Sequence, residues 1–157
     1  MKKIKLTELL IFIVSAELTG ALSGLIAGNF SGFYQTLIKP PLSPPGWIFP
    51  IVWSILYALM GISAFLIYSA DSPDKTKKVP YLIYTAQLFV NFMWSIIFFR
   101  FKILWAAAAV IILLLILIIS MLISFCKIRP SAAYINIPYL LWVAFALYLN
   151  ISIAILN

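Results

Sequence analysis

Residues 103–125 read ILWAAAAVIILLLILIISMLISF, a run without a charge, a proline or a glycine. At about 1.5 Å of rise per residue, about 20 helical residues cross about 30 Å of hydrocarbon, so this run is long enough to span a bilayer. It reads as scaffold, since Ala106–Ala109 and Ile111–Ile119 offer a ligand nothing but aliphatic surface. Outward from it, residues 6–28, 47–69, 80–100 and 131–156 meet the same length. Breakers separate them: Pro40, Pro41, Pro44, Pro45 and Gly46 precede the second, Pro80 opens the third, and Pro130 precedes the fifth. The expectation is an all-α membrane protein, residues 1–157 forming one bundle of five transmembrane helices with a long first loop, 29–46.

Composition agrees. The chain is 65% hydrophobic and 10% charged, with a mean hydropathy of +1.13, so its principal solvent is membrane lipid. A net charge of +7 would suggest nucleic acid in a soluble protein, but the eleven basic residues fall in the gaps between apolar runs and read as topology signals. The single Cys126 forbids an internal disulfide. The absence of His, with only four acids, argues against zinc, di-iron and Ser-His-Asp chemistry. No metal is expected, and no cofactor is required.

Lys2, Lys3, Lys5, Lys75, Lys77, Lys78, Lys127 and Arg129 fall on one side of the bundle; Lys39, Arg100 and Lys102 fall on the other. The positive-inside rule then puts the N-terminus in the cytoplasm and the C-terminus outside a cell membrane. The basic start followed by an apolar run resembles a signal peptide, but the run outlasts a cleavable segment and four more spans follow, so it reads as a first helix. Short third and fourth loops make the last three spans antiparallel neighbours. Loop 29–46, with Phe30, Phe33, Tyr34, Leu37 and Ile38, is too apolar for a solvated linker. It is expected to fold back as a lid, the alternative being an amphipathic stretch lying in the interface.

In lipid the informative side chains are polar, small or aromatic ones at helical spacing. Trp53, Tyr57 and Gly61 share a face of the second span; Gln87, Asn91, Trp94 and Ser95 form a stripe on the third. Tyr139, Trp142, Ala146, Leu149 and Asn150 run down the fifth, where Pro138 is expected to kink the helix. In the first span, Gly20, Ser23, Gly24 and Gly28 serve either close helix packing or a bare wall for a flat ligand. Glu17, an intramembrane acid, is either a functional group or a protonated structural one, with amides of the third span as its expected partners. Together these residues suggest a cavity between spans one, two, three and five. Trp53, Tyr57, Trp94 and Trp142 would line it, Asn91 would anchor a ligand, and the first loop would cover it. Such a site suits a large, flat, mostly apolar molecule, although each Trp alone could equally pack or sit in an interfacial belt.

Three blocks carry a family resemblance: KPPLSPPGWIFPIVWSILYALMG at 39–61; Gln87 with Asn91-Phe92-Met93-Trp94-Ser95 and Phe98-Phe99; and PYLLWVAFA at 138–146 with Tyr148-Leu149-Asn150. In this order they resemble the TspO/MBR family, the tryptophan-rich sensory proteins related to the translocator protein or peripheral benzodiazepine receptor, over essentially the whole chain. The resemblance implies a five-helix homodimer that binds porphyrins such as protoporphyrin IX, and in some members sterols and isoquinoline or benzodiazepine drugs. It carries ligand contacts to Trp53, Asn91, Trp94, Trp142 and Ala146, with Tyr34 and Pro44 from the loop. Some bacterial members degrade protoporphyrin in light and oxygen, and the Trp pair tied to that reaction matches Trp53 and Trp142. Two positions depart: Phe33 and Leu42 stand where the family usually has Trp. No basic residue follows Tyr148, so the sterol motif is broken. The first functional expectation is a porphyrin receptor or sensor, with light-dependent porphyrin breakdown as an added activity. The others are a transporter of porphyrin or another amphipathic metabolite, an enzyme proper, and a structural protein without ligand.

Overall fold

The computed structural model of the chain describes residues 6–28 and 30–157, with the side chains of α2 from Gly32 onward. The lysines at 2, 3 and 5 and Asn29 lie outside the described residues. The helices are α1 (Leu6–Ala27), α2 (Phe30–Thr36), α3 (Ile48–Tyr68), α4 (Asp74–Ser95), α5 (Leu104–Ile128), α6 (Pro130–Tyr134) and α7 (Ile137–Leu156). One π turn, Ile96–Arg100, extends α4. Among the described residues five spans are long and apolar enough to cross a membrane: α1, α3, α4 with its π turn, α5, and α6 with α7.

The apolar run that reads as featureless carries a register. Ala107, Ile111, Leu114, Ile118, Met121 and Phe125 are buried at alternating steps of four and three, while Ile112, Leu113, Ile116, Ile119 and Ile123 are exposed toward the lipid. α5 is thereby the post against which α4 and α7 pack, the arrangement that short loops require. On the other side α1 lies along α3 and touches α4 and its π turn, and α6 joins α5 to α3.

Two boundaries differ from the sequence reading. Pro80 does not open the third span. The helix starts at Asp74 behind Pro73, and Pro80 sits buried inside it. Asp74 favours that earlier start because a carboxylate stabilises the positive end of the helix dipole. The fifth span breaks at Ile135–Asn136, earlier than a kink before Trp142, and Pro138 lies in the first turn of α7, where its missing N–H costs nothing. The π turn and the helix within the first loop have no periodicity signal and were not expected.

The first loop packs on the bundle. Tyr34, Leu37 and Pro40 are buried, the Tyr34 hydroxyl donates to Pro44 O at 3.0 Å, and the Tyr148 hydroxyl donates to Pro41 O at 3.0 Å. Asn157 exchanges two 3.0 Å bonds with the backbone of Ile38.

α1 and α3 meet at Gly61. A Cβ there would lie 2.6 Å from Ile13 Cα and 2.7 Å from Phe12 O, so only glycine lets the two backbones approach this closely. Gly61→Ala should force the helices apart at a cost of about 1–3 kcal/mol. Thermal unfolding in detergent should show a lower midpoint for this variant and an unchanged midpoint for Gly24→Ala, whose Cβ meets nothing within 4 Å.

Candidate functional site

The site begins with a stripe on α3. Phe49, Trp53 and Tyr57 stand four apart, so their side chains stack along one face. Facing them is the end of α4. Trp94 and Phe99, five positions apart, would diverge by about 140° in an α-helix. The π turn, closed by Phe101 N–H to Ile96 O at 3.0 Å, widens the helix and turns Phe99 back, so that the two rings lie 6.0 Å apart. The third wall is α1, which presents Glu17, Gly20, Ala21, Gly24 and Ala27. Between them is a cavity of about 260 Å³, with Pro50, Ser54 and Ser95 completing the lining.

The glycines divide their roles. A Cβ on Gly20 would lie 2.3 Å from the Tyr57 ring, so Gly20 makes room for that phenol. Gly24 has open space before it and forms a bare stretch of wall. Ser23 packs instead, donating to Phe92 O at 2.9 Å and tying α1 to α4.

Of the residues expected at the site, Trp53, Tyr57, Trp94, Glu17, Gly20 and Gly24 line this cavity; Asn91, Trp142, Ala146, Tyr34 and Pro44 do not. The expected fourth wall, the fifth span, is held off by Phe49, whose ring lies 6.0 Å from Trp142 and 5.2 Å from Tyr34. Behind that screen is a second void of about 20 Å³, bordered by Tyr34, Ala146, Leu149 and Asn150. Phe49, Trp94 and Phe99 border both spaces. Phe49 and Phe99 were missed as site residues. Phe49 was findable as the next member of the Trp53 and Tyr57 stripe; Phe99 was not, because only the π turn aims it inward.

The amides of α4 face α7 and not Glu17. Tyr139 donates to Gln87 Oε1 at 2.7 Å, and Gln87 Nε2 lies 3.6 Å from Met60 Sδ. Trp94 Nε1 donates to Asn150 Oδ1 at 3.2 Å, and Asn150 Nδ2 to Leu104 O at 2.8 Å, which fixes the indole edge and leaves its face toward Trp53, 6.2 Å away. Asn91 Nδ2 and Trp142 Nε1 are buried without a partner among the described residues. Outside the spans, burial raises the pKa of the Tyr34 phenol, and the Ser43 hydroxyl opposes the shift. Among the described residues no three His, Cys, Asp or Glu side chains come together as a metal site. The cavity offers ring faces, bare backbone and one carboxyl group, a set suited to binding by stacking and burial.

The sequence profile of the TspO/MBR family matches residues 11–156. The chain belongs to the TspO/MBR family. Its relatives include the tryptophan-rich protein TspO of Chlorobaculum tepidum, 36% identical over 81% of this chain and 80% of that protein. The uncharacterized membrane protein YtaB of Bacillus subtilis is 34% identical over 100% and 99%. The human translocator protein is 31% identical over 82% and 76%. Membership in the TspO/MBR family fits the five apolar spans and makes the chain an integral, multi-pass membrane protein.

The Tyr139–Gln87 pair yields a prediction. Tyr139→Phe leaves the Gln87 carbonyl buried and unpaired, at a cost of about 1–3 kcal/mol, whereas Tyr148→Phe removes a bond at an exposed position. Chemical denaturation in detergent should show the larger loss for Tyr139→Phe.

Proposed function

We propose that this TspO/MBR protein is a membrane receptor or sensor for flat, mostly apolar ligands of the porphyrin class, with protoporphyrin IX the foremost candidate. The observation that carries the reading is the cavity itself, where Trp53, Tyr57, Trp94, Phe49 and Phe99 present rings across from the bare backbone of Gly24. A flat conjugated ligand gains dispersion and quadrupole contacts on both faces there and needs few polar partners. At about 260 Å³ the cavity is below the ~300–1,000 Å³ common for ligand sites. A porphyrin therefore requires the Phe49 and Phe99 rings to turn and join the main cavity to the void at Ala146. That movement brings Trp142, Asn91 and the loop residues Tyr34 and Pro44 within reach, gives two orphaned donors an acceptor, and makes the first loop a cover.

Transport is the second reading. The name shared by several relatives, translocator protein, suggests it. The structure favours a receptor, because the one break among the described spans, Ile135–Asn136, lies near the end of its span, and a break at the membrane midplane would better suit alternating access. The charge bias of the loops supports a cytoplasmic N-terminus in a cell membrane.

Protoporphyrin IX titrated into detergent-solubilised protein in the dark should quench Trp fluorescence saturably. Gly24→Leu, whose Cβ meets nothing within 4 Å and whose side chain would occupy the cavity, should weaken that binding about tenfold or more at a smaller loss of thermal stability than Gly61→Ala. Under light and oxygen, porphyrin absorbance should decline with the wild type and persist with Trp53→Phe or Trp142→Phe. Binding without such decline leaves a receptor; quenching that never saturates removes the porphyrin assignment.

A further inference from the structure

At the opposite end of the bundle, where α3 and α4 leave the hydrocarbon, Tyr68, Asp74, Lys77, Lys78 and Tyr81 line a cleft of about 410 Å³. We propose that it binds the head group of an anionic, hydroxyl-bearing phospholipid, of which phosphatidylglycerol is the test case. Lys77 is held in place by α3: its ammonium donates to Tyr68 O at 3.1 Å and Ala70 O at 2.8 Å, which caps the helix and leaves the third N–H for an outside acceptor. Lys78 is exposed and supplies a second cation. Arg129, on Ser69 Oγ at 3.4 Å, adds positive charge to the same helix end. A phosphate between Lys77 and Lys78 meets the charge it needs.

Asp74 refines the ligand class. An ionised carboxylate only accepts hydrogen bonds, so it would repel a bare phosphate and reward a head group with hydroxyl donors beyond the phosphate. The rings form the sides of the cleft. Tyr81 is fixed by its hydroxyl donating to Ala64 O at 3.0 Å, and Tyr68 stands exposed at interfacial depth. What selects a lipid over a soluble phosphate is the surface beneath. Leu82 follows Lys78 by one turn on the same face of α4 and is 69% exposed, and Phe89 continues the apolar track at 64%. An acyl chain hanging from a phosphate at Lys78 lies along that track. The assignment shares no residue with the porphyrin cavity and stands or falls separately from it.

The protein would be reconstituted in nanodiscs of phosphatidylcholine with equal parts of phosphatidylglycerol and phosphatidic acid, released into neutral detergent, and its retained lipid counted by native mass spectrometry. The wild type should retain phosphatidylglycerol in preference to phosphatidylcholine. Lys78→Gln should lose several-fold of that retention, Asp74→Asn should erase the preference for phosphatidylglycerol over phosphatidic acid, and Lys75→Gln, on the same surface but outside the cleft, should change neither. Lys77→Gln should also lose retention but loosens the end of α3, so Lys78→Gln decides. Equal retention in wild type and Lys78→Gln overturns the proposal, as does an equal loss in Lys75→Gln, which would mean diffuse charge alone. Displacement of the lipid by glycerol 3-phosphate at matched concentration would assign the cleft to a soluble phosphate and overturn it too.

Discussion

Hydrocarbon offers no hydrogen bonds, so a polar group in a span is costly unless it finds a partner inside the protein. In this bundle that constraint sets the rotation of the helices. Gln87 is turned toward Tyr139, Asn136 Nδ2 toward Ser63 Oγ at 2.6 Å, and Asn150 toward Trp94 and Leu104, each amide pointing into a seam between helices. Once α4 and α7 are turned this way, Trp94 can only present its face to α3. The aromatic cavity is thus a consequence of where the amides had to go.

Glycine sets the other side. At Gly61 the α1 and α3 backbones come within van der Waals range, and at Gly20 the α1 backbone yields to Tyr57. These contacts anchor α1 from Phe12 to Gly20, so that its end, at Gly24, stands off from α3 and leaves space. A single stripe of small residues can therefore hold two helices together at one level and part them at another. What faces each glycine decides which.

That distinction marks how far the sequence could be read. The five spans followed from run length, and the inward faces of α3, α4 and α7 from Trp53, Gln87, Asn91 and Tyr139 at helical steps, because in lipid a polar or small residue at such spacing has one economical orientation. Pro80 misled because proline is common both at helix starts and, in membranes, within helices whose neighbours compensate. The π turn escaped because its hydrogen-bond shift depends on tertiary packing and has no composition of its own. With it went Phe99, and with Phe99 the shape of the cavity. Asn91, Trp142 and Ala146, grouped with Trp53 by helical spacing as well as by resemblance, do not line the cavity: the Phe49 ring stands between it and Trp142, and Asn91 lies buried.

Closure by rings has an energetic logic. A single open cavity spanning both spaces would forfeit dispersion contacts along its whole lining. Edge contacts of Phe49 with Tyr34 and Trp142 recover part of that loss, and each is modest, on the order of 0.5–1.5 kcal/mol. A ligand that stacks on Trp53 and Trp94 can exceed a few such contacts, whereas it could not displace the Trp94–Asn150 or Tyr139–Gln87 hydrogen bonds, whose buried partners would be orphaned. The interior is therefore divided into a screen of rings free to turn and a polar frame that holds its place. An aromatic ligand larger than the resting cavity can enter only through the former.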